Sequence, residues 1–150
     1  MSQQADLILV RGHPGSGKTT HARALQVAHP ALVHIENDQL FTDAQGRYVF
    51  DMARHQEAKD TCLARTRDAL ERGQGVVVSN TFTTHAELAP YLALARGLGK
   101  HVAVVEMFGQ FPNSHNVPDA VVAAKQQAFE PYAGAQAVYP TAVRRASRRP

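Results

Sequence analysis

The sequence has little cysteine, no long apolar segment and no secretory-signal pattern in its first residues, and each absence weighs against a class of protein. Its single cysteine, Cys62, cannot form a disulfide within the chain. No apolar run approaches the roughly 18 residues that a membrane-spanning helix needs. The first residues lack the basic start and apolar core of a secretory signal. Together these absences predict a cytoplasmic protein without a membrane partner.

Metal-ligand spacing is also missing. The chain has eight histidines, but no pair of them has the spacing of a metal site in a helical or Cys/His context. Hydrophobic residues make up 44% of the chain and charged residues 19%, which is typical of a globular protein and not of a disordered one. We therefore expect one domain over residues 1–150 without a structural zinc ion.

Positive charge is concentrated at the C-terminal end. The tail at 144–149 contains four arginines, which exceeds the net charge of +3 for the whole chain. The rest of the chain is therefore close to neutral. A basic tail can attract nucleic acid, and a solvated tail without function is an equally open alternative. Apart from this tail, segment 131–150 has no clear period and supports no prediction of secondary structure.

Short apolar runs alternate with helical patterns along the rest of the chain. The predicted strands are 7–10, 31–35, 75–79 and 101–107, and the predicted helices are 17–29, 51–72, 83–96 and 119–129. Segment 43–50, with Gly46 in its turn, is predicted as a hairpin or surface loop. The alternation predicts an α/β fold with a mostly parallel sheet of four to five strands and helices on both faces. In such sheets, ligands bind beyond the carboxyl ends of the strands.

A phosphate-binding loop is the most specific motif. Residues 12–19 read Gly-His-Pro-Gly-Ser-Gly-Lys-Thr and stand between a predicted strand and a predicted helix. They match G-x-x-x-x-G-K-[ST] through Gly12, Gly17, Lys18 and Thr19. Glycines allow backbone N–H groups to converge on an anion, and the helix N-terminus favours the same negative charge. The motif predicts a P-loop NTPase fold; a flexible turn before a helix is the alternative.

This loop predicts a site for ATP and Mg²⁺. Lys18 would contact the β- and γ-phosphates, and the Thr19 hydroxyl would hold the metal. His13 lies inside the loop and either contacts the phosphates or faces solvent. The residues predicted to bind the nucleotide are Gly12, His13, Pro14, Gly15, Ser16, Gly17, Lys18, Thr19 and Thr20.

Kinases, ATPases and GTPases all use such a loop, and two missing signals weigh against hydrolases. The guanine-reading pattern Asn/Thr-Lys-x-Asp of GTPases does not occur. A motor ATPase would carry an acidic residue at the end of the third strand, where this chain has Ser79 and Asn80. The sequence therefore favours a kinase.

Two carboxylates follow the second predicted strand. Phosphoryl transfer to a hydroxyl uses a carboxylate that orients and deprotonates the acceptor. Glu36 and Asp38 are two residues apart and share one side of an extended segment. Asp38 stands just past the strand, beside the expected P-loop, and is the predicted catalytic base. Lys18 is the second predicted catalytic residue, through its contact with the phosphates. A cap or turn role is the alternative for Asp38, and Glu36 is predicted to support the acceptor side.

The order and spacing of several segments carry a family resemblance. These segments are GHPGSGKTTHAR, VHIENDQLF, YVFD, ALERGQGVVVSNTFTTHAELAPYLALA and NSHNVPDAV. Over about residues 6–130, the chain resembles the polynucleotide kinase-like P-loop kinases, in a small bacterial and phage branch often labelled ATP-binding protein or AAA-family ATPase. The resemblance implies a sheet of the nucleotide-kinase type and transfer from ATP to a 5′-hydroxyl of nucleic acid. It implies that Asp38 is catalytic and that Asn80, Thr81 and His115 lie near the acceptor.

Three departures from the family pattern affect the predicted chemistry. Ser79 replaces an aspartate, Phe82 replaces an asparagine, and residues 107–124, where the family has a lid helix with arginines, contain neither Arg nor Lys. The charge on the transferred group needs a further cation. The candidates are Lys125, Arg47, Arg54, Arg65, the arginine tail and a partner subunit.

The acceptor and the oligomeric state stay open. A kinase for a modified base in phage DNA or for a small molecule is compatible with the same residues. The alternative class is a nucleotide-binding regulatory protein, or a partner-activated ATPase, without efficient transfer.

Overall fold

A computed structural model of the chain describes residues 5–111 and 117–140. The strands are β1 (Leu7–Arg11), β2 (Val33–Ile35), β3 (Val76–Ser79), β4 (Val102–Met107) and β5 (Gln136–Val138). The helices are α1 (Lys18–Ala28), α2 (His55–Glu71), α3 (His85–Leu98) and α4 (Asp119–Ala128). Two short 3₁₀ helices occupy Asn37–Phe41 and Met52–Arg54. Within the described ranges, no helix is both long enough and apolar enough to cross a membrane.

The five strands form one parallel sheet in the order β2-β3-β1-β4-β5. Strand β1 lies at the centre, between β3 and β4, and every residue of β3 is buried. Continuous burial explains why these strands read as unbroken apolar runs in the sequence. The predicted α/β class and parallel sheet are confirmed.

Helices cover both faces of the sheet, as predicted. Helix α1 packs through Ala22 and Leu25 on one face. Helices α2 and α3 cover the other face, where the largest cluster of buried residues lies. The strand residues of that larger cluster are Leu7, Leu9, Ile35, Val76, Val78 and Val104. Because β1 alternates between the two clusters, its carboxyl end is held from both sides, directly before the glycine-rich loop.

Local signals explain most element boundaries. Segment 43–50 forms the predicted turn, since Thr42 and Tyr48 make an antiparallel bridge and Gly46 has φ 82°. The Thr84 hydroxyl accepts a hydrogen bond from the Glu87 backbone N–H at 3.3 Å, and thereby caps α3.

One boundary prediction was wrong, and one strand lies where the sequence supported no prediction. Helix α2 begins at His55 and not near residue 51, because the Asp51 carboxylate accepts from the Ala53 N–H at 3.0 Å and stabilises a separate 3₁₀ turn. The segment without a period contains β5, an edge strand of three residues that are exposed or half-buried. Such a short edge strand has no apolar alternation for sequence reasoning to detect.

Candidate nucleotide and acceptor site

The glycine-rich loop has the shape that its sequence predicts. It follows β1 directly, and Gly17 adopts φ 100° at the N-terminus of α1. A Cβ atom on Gly12 would lie 2.7 Å from the Met107 carbonyl oxygen and 2.5 Å from the Ser16 hydroxyl. A side chain at Gly12 would therefore collide with strand β4, so glycine is required for this close approach.

A segment that follows β4 holds the outer side of this loop. The Gly109 N–H donates to the Ser16 carbonyl at 3.0 Å, and the Phe111 N–H donates to the Gly15 carbonyl at 2.8 Å. A Cβ atom on Gly109 would lie 2.5 Å from the Ser16 carbonyl oxygen. The loop is thus supported by backbone contacts from a part of the chain about 90 residues away in sequence.

Two buried polar atoms of the loop have no hydrogen-bond partner among the described residues: His13 Nε2 and Ser16 Oγ. His13 is only 9% exposed, so it does not face solvent, and its Nδ1 lies 2.8 Å from the Pro14 carbonyl oxygen. A buried polar group without a partner costs about 1–3 kcal/mol. Their position in the loop fits a ligand that brings phosphate oxygens into it.

Lys18 is poised beside two carboxylates. Its ammonium donates to the His13 carbonyl at 3.1 Å. Burial lowers the pKa of Lys18 to about 8, the negative charges of Asp38 and Glu36 oppose this shift, and the charge of Lys125 adds slightly to it. The predicted residues Lys18, Asp38 and Glu36 therefore share one site, and Lys125 on α4 is within electrostatic reach of it.

Glu36 lies against the phosphate loop. Its Oε2 accepts from the Thr19 hydroxyl at 3.2 Å and from the Ser79 hydroxyl at 3.4 Å. His34 Nε2 lies 2.7 Å from the same Ser79 hydroxyl. Burial lowers the pKa of His34, so a neutral ring that donates through Nε2 completes the chain from His34 through Ser79 to Glu36. Sequence reasoning did not identify His34.

Asp38 lies on the 3₁₀ helix Asn37–Phe41 that follows β2. Tyr48 from the 43–50 turn makes a hydrogen bond to Asp38. Burial, the charge of Asp38 and this hydrogen bond together raise the pKa of Tyr48 to about 12. A neutral phenol that donates to a carboxylate holds the orientation of that carboxylate. Tyr48 is a second site residue that the sequence did not reveal.

Asn80 fastens the turn that carries Asp38. Its Oδ1 accepts from the Asn37 N–H at 2.8 Å, and its Nδ2 donates to Asn37 Oδ1 at 3.3 Å and to Cys62 Sγ at 3.5 Å. The Thr81 carbonyl accepts from the Gly12 N–H at 3.2 Å. Both residues thus join β3 to the site, and their contact with an acceptor stays a prediction. His115 and the tail at 144–149 lie outside the described residues.

A buried arginine was missed entirely. Arg11 is fully buried at the end of β1, and its guanidinium donates to the Glu106 carboxylate at 2.7 Å. It also donates to the carbonyls of Phe82 at 2.6 and 2.9 Å and of Glu130 at 2.7 Å. Phe129 lies under its plane at 4.0 Å. Arg11 therefore joins β4, the segment after β3 and the segment after α4 in one network of contacts.

Phe82 carries backbone strain in this network. Its φ of 44° makes it the one non-glycine residue with positive φ in the described ranges 5–111 and 117–140. For a bulky residue this conformation costs about 1–3 kcal/mol. Packing of its buried ring against Tyr91, with centroids 5.2 Å apart, and the bonds from Arg11 hold it there.

Replacement of Lys18 by alanine is expected to weaken ATP binding by about 10- to 100-fold, because a hydrogen bond to a charged group contributes about 1.5–3 kcal/mol. The measurement is the rise in melting temperature with ATP concentration. Lys100→Ala, on the opposite end of the sheet before β4, is the matched control. An equal ATP-induced rise in both variants would contradict the assignment of the loop.

Comparison with known proteins agrees with this geometry. Residues 7–108 match the family model AAA_33, which is described as an AAA domain. The uncharacterized protein PM0531 of Pasteurella multocida is 32% identical over 129 residues, which cover 77% of this chain and 72% of that protein. NEDD4-binding protein 2 of Homo sapiens is 36% identical over 91 residues, which cover 60% of this chain but only 5% of that protein.

Solved structures share the fold at low identity. A protein from Chloroflexus aurantiacus assigned as a kinase aligns with a TM-score of 0.65 at 18% identity, over 93% of this chain and 89% of that one. A chain of the Pnkp1/Rnl/Hen1 complex aligns with a TM-score of 0.59 at 15% identity, over 82% of this chain and 40% of that one. At these identities the likeness shows a shared fold.

Proposed function

We propose that this chain, which belongs to the AAA domain family and has a P-loop kinase-like fold, is an ATP-dependent kinase that phosphorylates a hydroxyl of a nucleic acid or nucleotide. One observation carries the proposal: Asp38 and Lys18 interact electrostatically at the carboxyl edge of the sheet. A carboxylate beside the phosphate-binding lysine is where an acceptor hydroxyl would need its base.

The residues of the chain divide the work of transfer. The backbone of 12–19 and Lys18 hold and orient the phosphates. The Ser16 hydroxyl, which has no hydrogen-bond partner among the described residues, can donate to a phosphate oxygen. Thr19 would hold Mg²⁺, which neutralises phosphate charge when it is bound. Asp38, oriented by Tyr48, accepts the proton of the attacking hydroxyl. Asn80 keeps the turn of Asp38 at a fixed distance from β3.

An exposed aromatic surface beside Asp38 supports an acceptor that carries a base. Phe50 is 46% exposed and packs against Phe41, with ring centroids 5.0 Å apart. Val49 and Met52, on either side of it, are 59% and 71% exposed. Nucleobases stack on such rings regardless of their sequence. Stacking on this surface is therefore the contribution that we propose for the base of a nucleotide or nucleic acid.

The second candidate function is nucleotide binding without efficient transfer, as in a regulatory protein or a partner-activated ATPase. The observation that favours it is the lack of Arg and Lys over 107–124. For the kinase we propose Lys125 as the source of this charge, because it lies on α4 within electrostatic reach of Lys18.

A γ-labelled ATP assay over a panel of 5′-hydroxyl DNA, 5′-hydroxyl RNA, nucleosides and sugars separates these functions. Labelled nucleic acid or nucleoside is the expected product. A labelled sugar would support the kinase assignment but contradict a nucleic-acid or nucleotide acceptor. Phosphate released only to water would support the second candidate.

Deletion of residues 144–150 tests a nucleic-acid acceptor. If the four arginines neutralise phosphates, the truncated protein should bind single-stranded DNA or RNA more weakly. Its log–log salt slope should be shallower by about 0.7 for each phosphate that the tail neutralises in the full chain. Binding is measured by fluorescence anisotropy between low and moderate salt. The same salt slope in both proteins would exclude the tail from the interface.

A further inference from the structure

Strand β3 ends without the acidic residue that commonly helps a phosphate-binding loop to hold Mg²⁺. The order of the strands shows which carboxylate lies next to this position. Strand β2 lies directly beside β3, with Ile35 opposite Val78. Glu36, the residue after β2, and Ser79, the last residue of β3, therefore lie at the same level of the sheet. The carboxylate of Glu36 reaches across to Ser79 and to Thr19 in the loop.

We infer that Glu36 supplies, from the end of β2, the metal-side carboxylate that Ser79 cannot supply from the end of β3. Together with the Thr19 hydroxyl it would hold the Mg²⁺ that accompanies ATP. This inference rests on the nucleotide-binding part of the proposed function, and it assigns Glu36 to the metal and not to the acceptor.

The donor set has the chemistry that Mg²⁺ prefers. Glu36 Oε2 and Thr19 Oγ1 lie 3.2 Å apart, and the Ser79 hydroxyl lies 3.4 Å from the same carboxylate oxygen. Glu36 and Thr19 both offer hard oxygen ligands, and Mg²⁺ binds in proteins through one or two carboxylates plus substrate phosphates. The Glu36 side chain is 15% exposed, so its charge is shielded from water yet can reach a ligand in the loop.

Neighbouring side chains hold Glu36 in this direction. The Ser79 hydroxyl donates to it, and His34 lies 2.7 Å behind that hydroxyl. Such outer contacts orient a metal-binding carboxylate, and their loss typically costs 10- to 100-fold in metal affinity or activity. Asp38 has a different set of contacts, with Tyr48, so the two carboxylates serve separate roles.

The metal should arrive with the nucleotide. Within residues 5–111 and 117–140, no group of three or more His, Cys, Asp or Glu side chains could hold a metal ion by itself. The effect of Glu36 should therefore appear in the Mg²⁺ dependence of ATP affinity, and not as metal binding to the protein alone.

The experiment moves the carboxylate from one strand to the other. ATP affinity is measured by calorimetry with Mg²⁺ and with EDTA for the natural protein, Glu36→Gln, and the double variant Glu36→Gln/Ser79→Asp. Glu71→Gln, on the exposed end of α2, is the matched control. Thermal unfolding without nucleotide verifies that each variant is folded.

We expect Glu36→Gln to lose about 10-fold or more of the affinity gain that Mg²⁺ gives, while its affinity in EDTA stays within about threefold. The double variant should regain most of the Mg²⁺ effect, because Ser79→Asp restores a carboxylate beside Thr19. Mn²⁺ paramagnetic resonance with ADP gives a second readout, and bound Mn²⁺ should fall in Glu36→Gln and return in the double variant.

Three results would overturn the inference: an unchanged Mg²⁺ effect in Glu36→Gln, an equal loss with Mg²⁺ and with EDTA, or no recovery in the double variant. The second result would show that Glu36 only shapes the loop. None of these measurements needs an acceptor. A panel without labelled product would therefore reject the kinase and leave this inference standing, and failure here would leave the kinase assay unaffected.

Discussion

Replacement of Asp38 by asparagine is expected to reduce phosphoryl transfer by about 100-fold or more and to change ATP affinity only a few-fold. Loss of a general base has this scale. Asparagine keeps the size of the side chain and its acceptor for Tyr48, but it cannot take a proton from the acceptor hydroxyl. The 3₁₀ turn should stay in place, because Asn80 fastens it through the backbone of Asn37.

Two quantities are measured for each variant: the initial transfer rate on the best acceptor, and ATP affinity by calorimetry. Asp60→Asn, an exposed aspartate on α2 that pairs with Gln56, is the matched control. Transfer within about tenfold of the natural protein would exclude Asp38 as the base. A turn role alone would instead change the free energy of unfolding by about 1 kcal/mol or less and leave transfer near normal.

Replacement of Arg11 by methionine is expected to lower the free energy of unfolding by about 3–5 kcal/mol, the usual cost of removing one partner of a buried ion pair. The Glu106 carboxylate would lose its cation, although the Tyr132 N–H would still donate to it at 2.7 Å. The carbonyls of Phe82 and Glu130 would lose their donors. Phe82 would also lose the bonds that hold its strained backbone.

Urea unfolding measures this effect, and a double variant separates charge from hydrogen bonding. Arg11→Met/Glu106→Gln should recover part of the loss, since it leaves no uncompensated carboxylate. Arg54→Met removes an exposed pair with Glu57 and should cost less than about 1 kcal/mol. A similarly small loss of unfolding free energy in Arg11→Met would contradict the idea that the network around Arg11 holds the segments after β3 and α4 in place.

The central part of the fold could be predicted because its signals are local. Strand β1, the glycine-rich loop and helix α1 follow one another along the chain, and each has its own pattern of apolar residues or glycines. The cap at Thr84 and the turn at Gly46 are likewise set by residues within a few positions. Asp38 was placed near Lys18 because the carboxyl ends of parallel strands meet at one edge.

The rest depends on which strands are neighbours, and no local pattern encodes that. Glu36 was predicted to support the acceptor side; its contacts with Thr19 and Ser79 follow from the position of β2 beside β3. Arg11 and Glu106 looked like ordinary strand ends, and their pairing follows only from the register between β1 and β4. The sequence signal for this ion pair was the presence of opposite charges, Arg11 and Glu106, near the ends of two apolar strands.

Gly109 lies outside the phosphate-binding motif, yet the packing of the loop requires glycine at this position as well. A Cβ atom at this position would press on the Ser16 carbonyl oxygen at 2.5 Å, and backbone cannot move aside without deforming the loop. We therefore expect natural variation at residue 109 to be as restricted as at Gly12, although no phosphate-binding pattern includes it. Among diverged relatives, loss of glycine there would mark chains that have abandoned nucleotide binding even where the motif itself is intact.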